Sequence, residues 1–209
     1  MGGFRRNCCG MITGMTSVSS QKHKRIRLDT GSYAQPGAIC SVTVAVQDRQ
    51  PIFADPIVAA AAVEVLVEHA GKTGAVIYGY CVMPDHLHLV LGPSATCDII
   101  TFVGQCKNLA QRAAWRHGVN GACWQVSFWD HFLRAEEQIE QVVEYVLSNP
   151  VRRGLARDWR DYPFSGSLVF ALRRESGGQA PALQSGVSQE PWDNPRATDS
   201  LAPSRGVTR

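Results

Sequence analysis

The chain has 209 residues, of which 44% are hydrophobic and 19% charged, and its formal net charge is +3. This composition is ordinary for a soluble protein with one well-packed domain, and the mild positive charge permits a nucleic-acid partner without requiring one. The seven cysteines are odd in number and form no C-x-x-C pair, which argues against a disulfide framework and a zinc ribbon. Because the sequence shows neither a signal peptide nor a run long enough to span a membrane, we expect a cytoplasmic protein without a membrane partner.

The composition changes along the chain and divides it into three regions. Residues 1–35 combine Gly, Ser and Thr with the basic run Lys22–Arg27, which predicts a flexible basic N-terminal arm. Residues 173–209 are rich in Gly, Pro, Ser, Gln and Ala. Their few large apolar side chains cannot offset the entropy of ordering, which predicts a disordered tail. Residues 36–172 are then the folded domain.

Local patterns predict the secondary structure of this domain. In chain order we expect a strand at Ala38–Val46, a helix from Asp55 to about His69, strands at Val76–Met83 and His86–Leu91, a helix from Asp98 to about Arg116, an extended segment at Trp124–Arg134, and a helix at Glu136–Ser148 that Pro150 ends. This order is β-α-β-β-α-β with a further helix. It predicts an α+β fold, a ferredoxin-like antiparallel sheet with helices packed on one face.

Two histidines lie in YCVMPDHLHLVL (residues 80–91), a run that otherwise has the pattern of a core strand. Side chains on a strand alternate between faces, so Leu87, Leu89 and Leu91 point to one face. His86 and His88 share the other face and could hold one metal ion between them, since imidazole is a common ligand of zinc-like and manganese-like ions. Two polar residues on a half-solvated sheet face would give the same pattern, so this motif alone leaves both interpretations open.

The last predicted helix carries a tyrosine outside its apolar stripe. The stripe consists of Ile139, Val142, Val143, Val146 and Leu147. Tyr145 lies more than a quarter-turn from the centre of the stripe, so we expect its ring to face outward, and Asn149 follows one turn later. A phenol oxygen can attack a phosphodiester while a metal ion, held by His86, His88 and the Asn149 amide, neutralises a phosphate oxygen. Taken singly, Tyr145 could be a half-exposed tyrosine at the sheet edge and Asn149 an ordinary residue at a helix end.

The sequence resembles the REP-associated tyrosine transposases, which belong to the insertion-sequence-200-like superfamily of HUH single-strand nucleases. Two blocks carry the resemblance, MPDHLH (Met83–His88) and YVLSNPVRRGL (Tyr145–Leu155). Supporting matches are RQPIFAD (Arg49–Asp55), Lys107, CWQVSFWDHFLR (Cys123–Arg134) and DYPFS (Asp161–Ser165). The resemblance covers roughly residues 38–168 in the order that the family has.

The resemblance implies a DNA transposase that nicks and rejoins single-stranded DNA beside a hairpin through a 5′-phosphotyrosine intermediate. It assigns His86 and His88 as metal ligands, Tyr145 as the nucleophile and Asn149 as a third ligand. The expected cofactor is Mg²⁺ or Mn²⁺, and the expected partner is a single-stranded DNA hairpin bound by a monomer or homodimer. One departure is Asp85, where relatives often have asparagine, and an acid at this position could orient His86.

Further residues are candidates for contacts to DNA. On the second predicted helix Lys107, Arg112 and Trp115 share a face, and basic side chains beside an aromatic ring are typical of single-strand binding. An ordinary solvated helix face has the same composition. Arg134, Arg152 and Arg153 flank the proposed site and are stronger candidates for phosphate contacts. His131, beside Asp130, could lie behind the ligands or face DNA, whereas we expect the remaining histidines, His23, His69 and His117, at the surface.

Two other functions fit part of these features. One is a non-catalytic ferredoxin-like module that binds single-stranded nucleic acid, with Tyr145 stacking on a base. The other is a metal-dependent hydrolase of small phosphoesters. Only the transposase would form a covalent bond between tyrosine and DNA.

Overall fold

The computed structural model describes residues 29–171. In chain order its main elements are β1 (Cys40–Ala45), α1 (Pro56–Thr73), β2 (Val76–Met83), β3 (His86–Gly92), α2 (Ile99–Arg116), β4 (Trp129–Phe132), α3 (Ile139–Arg152) and β5 (Ser165–Gly166). All neighbouring strands pair antiparallel, in the order β4-β1-β3-β2-β5. The predicted α+β class with an antiparallel ferredoxin-like sheet is confirmed. The run Lys22–Arg27 with His23 and the predicted tail at 173–209 lie outside the described residues.

The sheet is covered on both faces. Leu87, Leu89 and Leu91 of β3 pack in one cluster with buried residues of α1 and α2, such as Leu66 and Phe102. On the opposite face α3 packs in a second cluster, whose members from the sheet are Cys81, Met83 and Val90. The expectation that all helices lie on one face is therefore wrong for α3. The apolar stripe of α3 has an apolar surface to cover because β2 and β3 carry large side chains on both faces.

The folded part begins before the predicted boundary at residue 36. A short 3-10 helix at Thr30–Ala34 places Tyr33 in the core, where its exposed fraction is 0%. The Tyr33 hydroxyl donates a hydrogen bond to Asp130 at 2.6 Å, and its ring contacts Phe132 edge-on at 4.9 Å between centroids. A single buried aromatic residue thus attaches this segment to β4, and the predicted arm is folded at least from Asp29.

Two helices continue past their predicted ends. α1 passes through Gly71 and ends at Thr73, and Gly74 caps it in the left-handed conformation with φ 71°. His69 lies on the inner side of this helix and stacks on Phe102 of α2 at 4.7 Å between centroids. The prediction that His69 is a surface residue is wrong, since its exposed fraction is 6%.

α3 also continues, through Pro150 to Arg152, so the expectation that the proline ends this helix is wrong. A proline inside a helix lacks the N–H that would bond the carbonyl four residues earlier, which here is the carbonyl of Val146. The side-chain amide of Asn149 donates to that carbonyl at 3.1 Å. The hydrogen bond that Pro150 cannot make is therefore replaced by its neighbour, and the helix is not interrupted.

The segment Trp124–Arg134 is extended only in part. Trp124 forms an isolated antiparallel bridge with Val46, whereas sheet pairing in the segment is confined to β4. The residues between them form a loop that is held by side chains of α2, as described below. This loop runs beside the end of β1 that pairs with His86.

Candidate active site

The two histidines lie on the sheet face that α3 covers. Val90, the next residue of β3 on that face, belongs to the cluster that packs against α3. Across the strands, His88 is paired with Thr43 of β1 and Cys81 of β2. His86 is paired with Ala45 and Met83. The period of two residues therefore places both imidazoles where the sequence predicted, and the fold adds α3 above the same face.

The imidazoles converge on one point. The Nε2 atoms of His86 and His88 are 2.9 Å apart, and the two rings are nearly perpendicular at 88°. Behind them, Nδ1 of His86 is 2.5 Å from Asp85 Oδ1, and Nδ1 of His88 is 3.0 Å from Thr43 Oγ1. Each ring thus has its Nδ1 in a hydrogen bond and its Nε2 directed towards the other ring. This is the usual arrangement of histidine ligands, in which an outer partner fixes the orientation of the ring.

The distances fit a divalent ion. Two ligand atoms at about 2.1 Å from an octahedral ion, at right angles to each other, lie about 3.0 Å apart. The Nε2 separation of 2.9 Å agrees with that value. Within residues 29–171 no group of three His, Cys, Asp or Glu side chains is placed to hold a metal. Further ligands would therefore have to be an amide, water or the substrate.

Burial favours the neutral form of both imidazoles. Burial lowers the pKa of His86, although the hydrogen bond from its ring to Asp85 opposes the shift. Burial lowers the pKa of His88 well below its ordinary value, and the charges of His86 and Arg49 add to the effect. The pKa of Asp85 is lowered because, against the effect of burial, the hydrogen bond with His86 and the arginine charges favour the carboxylate. Neutral imidazoles are the form that binds a metal.

Tyr145 is half-buried on α3 and packs against the cluster formed with Cys81, Met83 and Val90. Its hydroxyl oxygen is excluded from solvent, so the expectation of an outward-facing ring is wrong. The Arg152 guanidinium covers the ring at 4.5 Å from the centroid. The ring lies off the apolar stripe, as predicted, but it packs against the cluster on the sheet and Arg152 covers one of its faces. Because the guanidinium is positively charged and is held on the ring, it can attract a phosphate group towards the phenol.

Asn149 is buried on α3, and the structure determines the direction of its amide. The Nδ2 atom donates to the carbonyls of Tyr145 at 3.2 Å and Val146 at 3.1 Å. Because the NH₂ group is used by the helix backbone, the amide oxygen is the atom with which Asn149 could bind a metal. Amide oxygens are suitable ligands for hard cations such as Mg²⁺.

Three arginines affect the potential at the histidine pair. Arg152 and Arg153 are exposed at the end of α3, and the charges of both lower the pKa of His88. Arg49, which sequence reasoning did not select, bonds Asp85 with 3.4 Å between Nη1 and Oδ2. It escaped notice because the turn that directs it inward has no local sequence signal. Thr43 was missed as well, although Ser41 and Thr43 alternate with valines in β1 and so indicate a polar position beside the histidines.

The candidate DNA-binding face of α2 mainly holds a loop. Lys107 Nζ bonds the carbonyl of Gln125 at 2.7 Å, and Trp115 Nε1 bonds the carbonyl of Gly121 at 2.8 Å. Between them Gln111 Oε1 accepts from the amide of Cys123 at 2.9 Å. These three side chains, spaced four residues apart, contact alternate residues of the loop. We call them the α2 bracket (Lys107, Gln111 and Trp115).

The bracket helix lies on the leucine face of the sheet, opposite the histidines, whereas the loop reaches the end of β1 beside His86. Arg112 points into solvent next to the bracket. Arg134 is exposed near the start of α3, and its backbone amide bonds Glu137 at 2.6 Å. His131 of β4 shares the histidine face of the sheet and also bonds Glu137, at 3.0 Å.

The chain is similar to known proteins of one family. The family model described as transposase IS200 like matches residues 37–149, more than half of the chain. A REP-associated tyrosine transposase of Escherichia coli (strain K12) is 28% identical over 90 residues, which is 43% of this chain and 52% of the relative. A relative from Haemophilus influenzae is 26% identical over 99 residues, or 41% of this chain and 54% of the relative. The chain therefore spans about half the length of these relatives.

The fold is similar to a solved structure of a REP-associated tyrosine transposase bound to a REP hairpin. The TM-score is 0.52 at 23% identity, over 64% of this chain and 78% of the other. This similarity supports the α+β fold with an antiparallel sheet.

Proposed function

Because the chain belongs to the transposase IS200-like family and is similar to REP-associated tyrosine transposases, we propose that it nicks and rejoins single-stranded DNA. One observation of the structure carries this proposal. The helix that bears Tyr145 packs on the sheet face that bears His86 and His88, so a phenol and a pair of convergent imidazoles belong to the same layer. A tyrosine that only filled the core, or histidines that only occupied a solvated sheet face, would not need to lie in the same layer.

The proposed reaction is a transesterification. The Tyr145 oxygen attacks the scissile phosphorus and forms a bond to it, while the bond from phosphorus to the 3′-oxygen of the preceding nucleotide breaks. The phenol loses its proton and the departing oxygen gains one, so the products are a 5′-phosphotyrosine and a free 3′-hydroxyl. Attack by the 3′-hydroxyl of another strand reverses the step and joins the DNA. Because one phosphodiester replaces another, the reaction needs no energy source.

The residues that would hold a metal are His86, His88 and Asn149, through two Nε2 atoms and the amide oxygen. Mg²⁺ or Mn²⁺ bound there would neutralise charge on the scissile phosphate. The neutral imidazoles and the bonded Nδ1 atoms support this assignment, because the rings are already oriented for binding. Asn149 also connects the ligand set to Tyr145, since its Nδ2 bonds the Tyr145 carbonyl.

The chain's own cations would position the DNA backbone. Arg152 lies on the Tyr145 ring and Arg153 follows it at the helix end, so both can bond phosphate oxygens beside the nucleophile. Arg134, exposed near the start of α3, would extend this contact, whereas Arg112, exposed on α2, would contact a part of the DNA away from the nucleophile. Lys107 and Trp115 would act indirectly, because their polar atoms hold the loop that ends beside β1.

We propose that the substrate is a hairpin with a single-stranded flank. A related structure is described as bound to a REP hairpin, which makes a REP-type hairpin the first substrate to examine. The buried cysteines of the described domain suit a reducing compartment, so the proposal includes a cytoplasmic location, with the protein acting as a monomer or homodimer.

The test is incubation of the full chain with labelled single-stranded hairpins and Mn²⁺ or Mg²⁺, followed by a denaturing gel. A DNA-cleaving transposase gives a protein–DNA band that resists boiling in detergent, together with a shortened strand. A nucleic-acid-binding module retards hairpins on a native gel but gives neither product. A hydrolase of small phosphoesters releases phosphate from a chromogenic ester without retaining DNA, and either of these outcomes would contradict the proposal.

A further inference from the structure

We propose that Asp85, held in place by Arg49, is a positioning residue that fixes the tautomer and direction of His86. The inference rests on the proposed function only in assuming that His86 binds a metal.

The two oxygens of Asp85 have different partners. Oδ1 is 2.5 Å from His86 Nδ1, and Oδ2 is 3.4 Å from Nη1 of Arg49. An ionised carboxylate has only acceptor atoms, so the His86 nitrogen that faces it must carry the proton. The lone pair of His86 is then on Nε2, the atom that faces His88 at 2.9 Å. Asp85 thereby selects the one tautomer of His86 that can bind a metal between the rings.

The backbone around Asp85 is fixed from two sides. The amide of Val46, at the end of β1, bonds the Asp85 carbonyl at 2.9 Å. The amide of Phe53, in the next segment, bonds the carbonyl of Pro84 at 3.0 Å. The β2–β3 turn therefore cannot shift without breaking contacts to two neighbouring segments, and the carboxylate is kept beside the ring.

Arg49 reaches Asp85 through an unusual turn. Asp48 and Arg49 both have positive φ, 52° and 56°, in a conformation that side chains other than glycine adopt at a cost. Residues in such strained backbone conformations occur most often at functional sites, where the surrounding structure holds them in place. The result here is that the Arg49 side chain is 15% exposed and bonds the acid. A guanidinium beside the acid favours the carboxylate form of Asp85, whose Oδ1 accepts the hydrogen bond from Nδ1–H of His86.

His88 contrasts with His86. Its Nδ1 faces the hydroxyl of Thr43, which can either donate or accept. His88 can therefore hold its proton on Nε2, bonded to His86, and move to the other tautomer when a metal binds. The site thus has one ring with a fixed tautomer and one that can adapt. Asp85 and not Thr43 determines how the pair is organised.

The test uses full chain labelled with ¹⁵N-histidine, first without metal. Imidazole ¹⁵N shifts report which nitrogen is protonated, and a His86→Gln variant assigns the signal. We expect His86 in the Nδ1–H form in the wild type. In Asp85→Ala the Nε2–H form should gain population, while Asp85→Asn, whose amide oxygen can still accept, should restore the wild-type form. Circular dichroism confirms that each variant is folded.

Mn²⁺ affinity gives a second readout. We expect Asp85→Ala to weaken binding by about 10- to 100-fold, with Asp85→Asn and Arg49→Gln affected less. Glu137→Gln is the matched control, because Glu137 also bonds a histidine, His131, on the same sheet face. The Mn²⁺ affinity of this variant should equal that of the wild type. An Nε2–H signal in the wild type, or an unchanged signal in Asp85→Ala, would overturn the inference. A wild type that binds no metal while its tautomer depends on Asp85 would instead overturn the proposed ligand role and leave the positioning intact.

Discussion

At the scale of single residues, the chemistry of the site depends on atoms behind the ligands. The separation of 2.9 Å between the two Nε2 atoms exists because Asp85 and Thr43 hold the opposite nitrogens. The alternation of side chains on a strand was enough to place both imidazoles on one face. The directions of the rings were not predictable, since they depend on a left-handed turn and on a hydroxyl from another strand.

Removing either histidine should weaken metal binding and leave the fold. His86→Ala and His88→Ala each remove one of two convergent nitrogens, so we expect Mn²⁺ affinity to fall at least tenfold by calorimetry. Unfolding free energy should fall by about 1–3 kcal/mol, since the leucine face is untouched. The control is His131→Ala, which alters a histidine two strands away on the same face. Unchanged affinity in both ligand variants would rule out a shared metal site.

At the scale of elements, Asn149 of α3 has two roles: it bonds the helix backbone, and it is a proposed metal ligand. Asn149 replaces the hydrogen bond that Pro150 removes from Val146, so the helix carries Arg152 and Arg153 one turn further than a broken helix would. The sequence rule that proline ends a helix failed here because the compensating donor is a side chain. Such compensation depends on a rotamer, which no pattern of residue types specifies.

A double-mutant cycle tests this compensation. Asn149→Ala should lower the unfolding free energy by about 1–2 kcal/mol, because the Val146 carbonyl loses its donor. In a Pro150→Ala background the new backbone N–H can bond the same carbonyl, so the cost of Asn149→Ala should fall below about 0.5 kcal/mol. Because both proteins lack the Asn149 amide oxygen, the double variant should bind Mn²⁺ as weakly as Asn149→Ala alone. Equal costs of Asn149→Ala in both backgrounds would show that the amide does not compensate for the proline.

If the α2 bracket holds the loop, removing one of its side chains should make the bonded part of the loop more mobile. Gln111→Leu removes the acceptor of the Cys123 amide, so hydrogen exchange at Cys123 should become faster. Arg112→Leu, one residue further on an exposed face, should leave the exchange at Cys123 unchanged. If Arg112 contacts phosphate, its variant should instead weaken hairpin binding and reduce the salt dependence of affinity. Unaltered exchange in Gln111→Leu would mean that the loop is held elsewhere.

At the scale of the whole molecule, the sheet separates two layers with different tasks. α1 and α2 form the main core with the leucines of β3, and α3 covers the face with the histidines. Strand and helix positions followed from residue patterns, and β2 was predicted with its observed bounds, Val76–Met83. Which face α3 covers could not be predicted, because β2 and β3 carry large apolar side chains on both faces, beside the histidines as well as on the leucine face. The burial of Tyr33 and His69 likewise depends on long-range packing.

The buried His69 should make stability depend on pH. Burial lowers its pKa from the ordinary value of 6.5, and the charge of Lys72 adds to the shift. The unfolded chain then binds more protons than the folded one, so stability is fully present above about pH 6.5 and is lost as the pH falls. His69→Leu should lose less stability between about pH 7.5 and 5 than the wild type, as measured by urea unfolding. His86 and His88 contribute in the same direction to both proteins. Parallel curves for the two proteins would show that His69 does not contribute.

The central claim is that Tyr145 attacks DNA at the site of the two histidines, and mapping the covalent adduct tests it most directly. The full chain is incubated with a labelled hairpin and Mn²⁺, the DNA is digested, and the modified peptide is identified by mass spectrometry. We predict a nucleotide on Tyr145 in the wild type and in Tyr78→Phe, the matched control from the same cluster. Tyr145→Phe should bind the hairpin with unchanged affinity and form no adduct. An adduct that persists in Tyr145→Phe, or one that maps to another residue, would contradict the account.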